Sequence, residues 1–445
     1  MSIGYACKLI GVEDTEMKSC TMKNATEERL LTLIEGNLKA LDRIIDYNIQ
    51  NRIKMFRISS DLIPFGSSPV NSIKWWELYA EQFEAIGQKI KDSGMRVSLH
   101  PGQYTVINSP SEDVVLRAVD DLVYHARILD AMTLSPEHKL ILHIGGAYGD
   151  KPSAMERFCD SYEKLPEAVK KRLIIENDDK IYTIDEVLAI SLKMGIPVVY
   201  DNLHHEINHS EPAYDDAYWI AQTKTTWKPI DGKQKVHYSQ QAVGKKTGSH
   251  SDFIHIVPFM AYYHAVSGDD IDIMLEVKDK NLSCVKCVHC TDKEIEIKHL
   301  EKAWSRYKYS VLERSQAHYL GIRKLFNDHR EALSGGKIST EAMAILSYDF
   351  YRMVDDALTL NITHGSAVNA LSHVWGYFKN LASESEKANF KKQLKDFEDQ
   401  SVLELNLEER LYAIKRNLEK LARKYKLDYL LQSYYFNAIK LSKGV

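Results

Sequence analysis

Cysteines and long apolar runs are scarce in this chain of 445 residues. Its six cysteines are too few for a disulfide scaffold of this length. No apolar run approaches the roughly 18 residues that cross a bilayer. The first residues, MSIGYACKLIG, lack a basic segment followed by an apolar core, as a signal peptide would have. We therefore expect a cytoplasmic protein without a membrane partner.

Excess positive charge is also lacking. The formal net charge is −4, which counts mildly against a nucleic-acid binder. Lysines are nevertheless concentrated in residues 222–250, where six of them accompany a single acid, Asp231. Such a segment either binds phosphate groups or is an ordinary solvated loop, and taken alone it favours the solvated loop. The lysines are Lys224, Lys228, Lys233, Lys235, Lys245 and Lys246.

Short apolar runs are abundant in the first 280 residues. Hydrophobic residues make up 44% of the chain, which is enough for a large core and predicts more than one domain. Several runs are almost continuously apolar, as strands buried on both faces should be. The predicted strands are IGYAC (3–7), MFRIS (55–59), RVSLH (96–100), LILHIG (140–145), RLIIEN (172–177), PVVYD (197–201), KVHYS (235–239) and DIMLEV (272–277).

Helical patterns separate most of these strands. Residues 25–49 repeat apolar residues at spacings of three and four, and residues 109–132 open with a serine cap followed by acids. Eight strands alternating with helices predict an α/β fold, a closed (β/α)₈ TIM barrel. An open doubly wound sheet is the alternative, but no GxGxxG follows the first strand.

Histidines and acids recur at the ends of the predicted strands. In a barrel these ends meet at one mouth, where active sites form. Imidazoles with carboxylates are ligands of divalent metals, and so many carboxylates would repel one another without cations. We expect two or three metal ions with bridging carboxylates. The residues are His100, His143, Glu176, Asp201 and Glu276, with His237 inside a strand and His204, His205 and His250 in adjoining loops.

Several metals in one cleft suit hydrolysis of a phosphate ester. One ion activates water while the others bind the phosphate oxygens and the leaving alkoxide. We find no Ser-His-Asp arrangement or activated cysteine as a competing nucleophile. A metal-dependent sugar isomerase on the same barrel remains an alternative, because it also uses histidine, glutamate and aspartate.

Seven motifs resemble the UV damage endonucleases of the UVDE/UvsE family over roughly residues 3–282. They are MFRISSDLIPFGSSP, SLHPGQY, LHIGGAYGD, IIENDD, YDNLHH, KVHYSQQ and MLEVKDK, in the family's order. The resemblance implies a barrel related to endonuclease IV. It also implies an enzyme that nicks double-stranded DNA immediately 5′ to cyclobutane pyrimidine dimers and 6-4 photoproducts, and in some members at abasic sites.

The resemblance also implies roles for individual residues. Glu176, Lys235, His237 and Glu276 are expected to act in catalysis. Lys235 lies at a position where the family has a lysine that can be carboxylated, and a phosphate-contacting or merely exposed lysine is the alternative. The expected metal is Mn²⁺, with Zn²⁺, Fe²⁺ or Mg²⁺ as alternatives. The implied ligands are His100, His143, Glu176, Asp201, His204, His237, His250 and Glu276.

Three residues are implied to contact the lesion. Gln103 and Tyr104 match a pair that the family inserts into the duplex, where a tyrosine ring can replace lost stacking. Tyr5 matches a family tyrosine near the damaged bases. Two positions depart from the pattern: Ser68 aligns with a metal-site histidine and Leu9 with an asparagine. The serine suggests a further alternative, a barrel that binds lesions without cutting.

The last third of the chain reads as helical. We predict a barrel over 1–283, a connector over 284–340 and an all-α C-terminal domain over 341–445 that resembles the YbgA-like family. CVKCVHC (284–290) could bind zinc, but its spacing is cramped, and a connector with incidental thiols is favoured. SGGKIST (334–340) reads as a linker. We expect His364, His373, Tyr377, Gln432 and Tyr435 to be packing residues, and a monomer as the oligomeric state.

Overall fold

The computed structural model describes residues 1–212, 214–333, 339–398 and 407–436. The chain forms two compact units, each described by itself. The first comprises Met1–Leu9, Glu13–Ile254 and Phe259–Val285, and the second comprises Ile10–Val12, His255–Pro258 and the described residues from Lys286 onward. The predicted division at 283 and 340 stays a prediction, and most of the predicted SGGKIST linker lies outside the described residues.

The first unit is a closed barrel of eight parallel strands, counted within the described residues. The strands follow one another around the barrel in chain order, and β1 pairs with both β2 and β8. This topology confirms the predicted TIM barrel, and each strand lies within two residues of its predicted bounds. The strands are β1 (Ile3–Ala6), β2 (Met55–Arg57), β3 (Arg96–Leu99), β4 (Lys139–His143), β5 (Leu173–Glu176), β6 (Val198–Asp201), β7 (Lys235–Tyr238) and β8 (Asp272–Leu275).

Helices connect the strands and continue to the end of the described chain. Short 3-10 turns lie at Met22–Asn24, Ser60–Leu62, Pro229–Asp231 and Ser267–Asp269. The helices are α1 (Glu27–Gln50), α2 (Trp75–Leu78), α3 (Ala80–Ser93), α4 (Glu112–Ala131), α5 (Lys151–Glu163), α6 (Glu167–Lys170), α7 (Ile184–Met194), α8 (Asn202–Ile207), α9 (Asp216–Lys224), α10 (Ile256–Ala265), α11 (Asn281–Thr291), α12 (Ile297–Leu312), α13 (Gln316–Leu333), α14 (Thr340–Thr359), α15 (His364–Trp375), α16 (Glu384–Glu398), α17 (Leu407–Lys424) and α18 (Asp428–Leu431).

The two predicted barrel helices are present and begin at short polar residues. Thr26 precedes α1 and accepts a hydrogen bond from the backbone of Arg29, which satisfies one of the free N–H groups of the first turn. Ser111 precedes α4, and two acids follow it in the first turn, where they complement the helix dipole. The Ser111 side chain itself makes no capping hydrogen bond.

Side chains inside the barrel form layers because successive residues of a strand point to opposite faces. One layer is apolar: Ala6, Met55 and Met274 pack together, as do Ile141, Ile174 and Val199. Residues two positions beyond Met55, Ile141 and Ile174 share their face. They are Arg57, His143 and Glu176, so these polar groups point toward the barrel axis at the carboxyl end of the strands.

The second unit is helical in the described residues and has its own apolar core. Leu371 and Val374 of α15 pack with Leu418 of α17, and Trp375 stacks on Phe390 of α16 with ring centroids 4.1 Å apart. This agrees with the predicted all-α C-terminal region. None of the described helices is both long and apolar enough to cross a membrane.

Candidate metal centre

The predicted ligands meet at the carboxyl end of the barrel. Parallel strands of a closed barrel all end at one mouth. Six of the eight strands deliver an imidazole or a carboxylate there. The contributing residues are His100 after β3, His143 in β4, Glu176 in β5, Asp201 in β6, His237 in β7 and Glu276 after β8.

Glu176 is the centre of this cluster, and its side chain is only 1% exposed. One carboxylate oxygen, Oε1, lies 2.7 Å from Nδ1 of His237 and 3.7 Å from Nδ1 of His204. The other, Oε2, lies 3.3 Å from Nε2 of His100 and 3.8 Å from Nε2 of His143. A carboxylate whose two oxygens face different histidines has the arrangement of a bridging ligand.

Backbone carbonyl oxygens orient the rings of His100 and His204. Nδ1 of His100 lies 3.0 Å from the carbonyl oxygen of Pro101, and Nδ1 of His204 lies 2.9 Å from that of Asn177. A carbonyl oxygen can only accept, so Nδ1 carries the proton in each neutral ring. Nε2 of His100 then carries a lone pair, and this lone pair faces the lone pairs of the Glu176 carboxylate oxygen Oε2. Such a contact calls for a cation, either a proton or a metal.

Two further carboxylates extend the cluster. Asp201 accepts a 2.9 Å hydrogen bond from the backbone of His204 and lies 3.9 Å from that ring. Oε1 of Glu276 lies 3.5 Å from Nδ1 of His237, and its Oε2 lies 3.9 Å from Nε2 of His250. All eight predicted ligands therefore belong to one connected group.

Burial and charge shift the pKa values of these groups. Burial lowers the pKa of His143 to about 4, although Glu176 acts in the opposite direction. Burial acts the same way on His204, but Asp201 and Glu176 outweigh it and raise its pKa to about 9. Burial disfavours the charged form of Glu176, yet His237 and His143 hold its pKa well below the usual range. The His204 proton thus supplies positive charge that the carboxylates require.

The donor set fits divalent metal ions. Nδ1 of His143 and Oδ2 of Asp201 are buried and lack a hydrogen-bond partner among the described residues, which is costly for polar atoms. The cluster contains two groups of three residues, and within each group the ligand atoms lie within 4.8 Å of one another. The first group is His100, His143 and Glu176, and the second is Glu176, Asp201 and His237. Glu176 belongs to both groups, so the two groups adjoin one another. Mixed imidazole and carboxylate ligands suit Mn²⁺, Fe²⁺ or Zn²⁺.

Arg57 is a buried cation in the cluster that the sequence-based prediction missed. Its Nη2 donates to Oε1 of Glu276 at 2.5 Å and to Nε2 of His237 at 3.0 Å. Because the guanidinium only donates, Nε2 of His237 accepts and its Nδ1 proton points to Glu176. A signal was present, since Arg57 ends β2 as the ligands end other strands. A search for metal-binding residue types passes over arginine.

Lys235 lies deeper in the barrel than the predicted ligands. It begins β7, two residues before His237, and therefore shares the inward face of that strand. Its side chain is buried and makes no hydrogen bond or ion pair with the described residues. Burial, assisted by Arg96 and Arg57, holds the pKa of Lys235 well below its usual range.

Gln103 and Tyr104 form the tip of an exposed turn after β3. The backbone N–H of Thr105 closes the turn by donating to the carbonyl of Gly102 at 2.9 Å. The Thr105 hydroxyl anchors the base of the turn, donating to buried Asp121 at 2.7 Å. Tyr104 is 73% exposed, and its ring lies so close to Gly102 that an added Cβ there would come within 2.4 Å of it. The barrel mouth thus carries an aromatic ring on a firm base.

Tyr5 does not lie where a lesion contact requires. It is fully buried, its hydroxyl donates to Asn48 of α1 at 2.9 Å, and its ring packs against Phe56. Gly4 and Ala6 take the inward positions of β1, so Tyr5 points to the helix layer. The structure therefore does not support the predicted DNA contact of Tyr5, which instead belongs to the core.

The two positions that depart from the family pattern have no hydrogen bond to the predicted ligands among the described residues. The hydroxyl oxygen of Ser68 accepts from the backbone N–H of Val70 at 3.3 Å, and no hydrogen bond of the described residues links it to the predicted ligands. Leu9 is buried.

The six lysines of residues 222–250 do not form one loop. Lys224 ends α9, and Lys228 and Lys233 precede β7. Lys235 is buried in β7, so only Lys245 and Lys246 are exposed beyond the carboxyl end of that strand. The expectation of a single basic loop is therefore wrong, because a strand interrupts the lysine-rich segment.

The CVKCVHC segment lies in α11 and does not resemble a metal site. Cys284, Cys287 and Cys290 are all buried, and no metal-binding group of the described residues includes them. His289 instead lies 2.7 Å from the hydroxyl of Tyr351. The geometry favours the interpretation of incidental thiols.

The polar candidates of the C-terminal region serve mainly in packing. The ring of His364 stacks on Phe397, with centroids 4.7 Å apart, and Tyr435 is fully buried in the helical core. Tyr377 is partly exposed, and its hydroxyl bonds to that of Tyr309 at 2.9 Å. Among the described residues of this unit, these contacts give no candidate active site.

The closed barrel and the histidine–carboxylate cluster at its mouth define a TIM-barrel protein with a candidate metal centre. Residues 2–308 match the family of the UV-endonuclease UvdE, and residues 308–439 match a protein of unknown function, DUF1722. The chain therefore belongs to the UV-endonuclease UvdE family, and its C-terminal region carries the DUF1722 domain.

Individual relatives agree with this family. The UV DNA damage endonuclease of Clostridium perfringens (strain 13 / Type A) is 42% identical over 317 residues, covering 70% of this chain and 77% of that protein. The UV DNA damage endonuclease of Bacillus cereus (strain Q1) is 34% identical over 269 residues, covering 60% of this chain and 84% of that protein. The crystal structure of SacUVDE matches with a TM-score of 0.62 and 37% identity, covering 65% of this chain and 96% of that one.

Proposed function

We propose that this chain is a metal-dependent DNA-repair endonuclease that nicks double-stranded DNA 5′ to cyclobutane pyrimidine dimers and 6-4 photoproducts, and also at abasic sites. It acts as a monomer in the cytoplasm. The observation that carries the proposal is the connected group of five histidines and three carboxylates around Glu176 in a member of the UvdE family. Such a group is suited to binding cations next to a phosphodiester.

The eight predicted ligands would hold two or three divalent ions, with Mn²⁺ first among the candidates. The ions would supply an activated water and charge stabilisation for the leaving oxygen. The chain's own contribution is orientation. Glu176 spans both groups of ligand atoms, Asn177 and Pro101 fix two imidazole tautomers, and Arg57 orients Glu276 and His237.

Lys235 is proposed to join this centre as a carbamate. An amine adds CO₂ only in its neutral form, releasing one proton and gaining a carboxylate. The depressed pKa of Lys235 favours that neutral form. Lys235 lies two residues before His237 on the same inward face of β7, so its side chain points into the barrel interior.

Damage recognition is assigned to Gln103 and Tyr104. A photodimer weakens stacking and pairing, so opening the duplex costs less at a lesion than elsewhere. An exposed tyrosine ring can replace the lost stacking, and the glutamine amide can bond to exposed base edges. The anchored turn that carries both residues keeps them extended at the barrel mouth.

The alternatives explain less of the site. A sugar isomerase would use the same ligand types, but it gives the exposed Gln103–Tyr104 turn no role. A barrel that binds lesions without cutting was suggested by Ser68, yet the eight remaining ligands form one group without it. Family membership also favours the endonuclease.

Incision of a duplex with one thymine dimer tests the proposal. The protein should cut it with Mn²⁺, lose activity in EDTA and regain activity when Mn²⁺ is added in excess. Glu176→Ala and His100→Ala should each reduce the rate by more than about 100-fold, because each removes a ligand. The matched control is Glu156→Ala, which removes an exposed carboxylate from α5.

Each alternative predicts a different result. Tight binding of the dimer without incision by the Mn²⁺-loaded wild type would identify a lesion-binding protein. If the protein neither binds nor cuts the duplex, the DNA-repair function is rejected. Mass spectrometry of the intact protein tests Lys235 separately, since a carbamate adds the mass of CO₂ and Lys235→Arg should abolish it.

A further inference from the structure

Tyr148 is a second exposed aromatic residue in a loop that leaves the barrel mouth. It lies between β4, which ends at His143, and α5, which begins at Lys151. The side chain is 47% exposed, and the backbone adopts a left-handed conformation with φ of 52°. This conformation is strained for an aromatic residue, and such strain concentrates at functional sites. Packing alone does not explain a large exposed ring at a strained position.

Arg157 accompanies this tyrosine and has free donors. Its guanidinium carbon lies 5.6 Å from the centre of the Tyr148 ring. Nε donates to the carbonyl of Asn108 at 3.0 Å, whereas neither terminal nitrogen has a hydrogen bond or ion pair with the described residues. The nearby carboxylate of Asp150 is engaged by the backbone and hydroxyl of Ser153. The guanidinium is thus fixed at Nε and presents two terminal nitrogens as donors.

The Tyr148 loop is joined to the turn that carries Gln103 and Tyr104. Asn108 follows that turn and donates from Nδ2 to the carbonyl of Gly146 at 2.8 Å, while its own carbonyl accepts from Arg157. Gly145 has φ of 111°, and an added Cβ there would lie 2.4 Å from Oδ1 of Asn108. The close approach of the two loops requires glycine at this position. Both exposed tyrosines therefore stand on one hydrogen-bonded base.

We propose that Tyr148 and Arg157 form a second DNA-binding site, which holds the phosphodiester backbone beside the lesion. The two free donors of Arg157 match two oxygens of one phosphate. The ring of Tyr148 covers the adjoining sugar or base. This inference rests on the proposed function, since it assigns these residues to the same DNA substrate. It adds a strand contact distinct from the Gln103–Tyr104 turn.

Binding and incision of a dimer-containing duplex test the site in the full-length protein. Tyr148→Asn should weaken binding about tenfold, while asparagine tolerates the left-handed backbone and keeps the melting temperature at or above that of the wild type. Arg157→Gln should raise KM more than it lowers kcat and reduce the slope of log Kd against log salt by about one. Arg157→Lys should keep the slope but lose part of the affinity. Arg117→Gln, which neutralises an exposed arginine of α4, is the charge control.

The outcomes separate this inference from the proposed function. Unchanged affinity and salt slope in both the Tyr148 and Arg157 variants, with normal incision by the wild type, would overturn the second site alone. A lower melting temperature with unchanged affinity in Tyr148→Asn would show a structural role and overturn it too. Absence of incision and of dimer binding in the wild type would instead reject the proposed function.

Discussion

Arg57 supplies a permanent positive charge among acidic and histidine side chains. Its partners, Glu276 and His237, are both predicted ligands, and all three side chains are largely buried. Burial opposes the charge on Glu276, but Arg57 and His237 outweigh it and hold the Glu276 pKa well below its usual range. Arg57 therefore performs in the protein part of the charge compensation expected of a metal.

Replacing Arg57 with glutamine should show this compensation. Without metal, the variant leaves a buried carboxylate without its cation, and stability should fall by about 3–5 kcal/mol. With saturating Mn²⁺ the difference from wild type should shrink, because the ion offers Glu276 a new positive partner. Thermal melts with and without Mn²⁺ measure both values, and Arg57→Lys, which keeps the charge, is the matched control. An equal loss in both conditions would contradict the compensation.

The turn after β3 shows how a short element positions an exposed side chain, that of Tyr104. The hydrogen bond between Thr105 and Asp121 ties the base of the turn to α4. Asp121 is buried, so an unsatisfied oxygen there is costly. The stability of this bond therefore determines how firmly Tyr104 is presented.

Thr105→Val should loosen this turn. The side chain keeps its shape but loses its donor, so we expect a loss of roughly 1–3 kcal/mol. We also expect a smaller preference for damaged over undamaged duplex, because Tyr104 is less firmly oriented. Urea unfolding and competition binding give the two quantities, with Thr105→Ser as the control that keeps the hydroxyl. Normal stability in Thr105→Val would show that the bond is dispensable.

The hydrophobic pattern of the sequence predicted the positions of the strands well, but it predicted the surroundings of individual residues less well. LILHIG and RLIIEN were placed to within two residues because strands buried on both faces are continuously apolar. The clustering of these side chains was predictable in outline because histidines and acids end successive strands, and their role as metal ligands stays a prediction. The orientation of Tyr5 was not, since it depends on which alternate residues of β1 face inward. The lysine-rich segment misled because nearness along the chain does not give nearness in the fold.

Each compact unit contains a buried histidine that is kept neutral. Burial, with Arg96 and Arg172 nearby, lowers the pKa of His138 to about 3, and its Nδ1 accepts from the backbone N–H of Val97 at 3.0 Å. Burial likewise lowers the pKa of His289 to about 3. A histidine in an unfolded chain titrates near 6.5. The unfolded state therefore binds more protons at mildly acidic pH, and both units should lose stability there.

The contribution of His138 can be isolated by pH. Its stabilisation is complete above about pH 6.5 and is lost as the pH falls toward 3. Between pH 7.5 and 5 the loss from this one residue should be about 2 kcal/mol. His138→Asn retains an acceptor for the backbone N–H of Val97 but cannot be protonated. Between pH 7.5 and 5 the free energy of unfolding of this variant should therefore fall by about 2 kcal/mol less than that of the wild type. Urea unfolding of the wild type and the variant at both pH values measures this difference. Equal losses of stability in the two proteins would show that His138 does not cause the pH dependence.

The barrel as a whole stacks a layer of polar mouth residues directly above a layer of apolar ones. His143 and Glu176 stand two residues beyond Ile141 and Ile174 in the same strands. One inserted residue inside such a strand would turn its imidazole or carboxylate toward the helices and place an aliphatic side chain among the charges. Length variation among relatives should therefore be confined to the segments between strands, where the exposed tyrosines reside. These segments can therefore change in length while the histidines and acids at the barrel mouth keep their spacing.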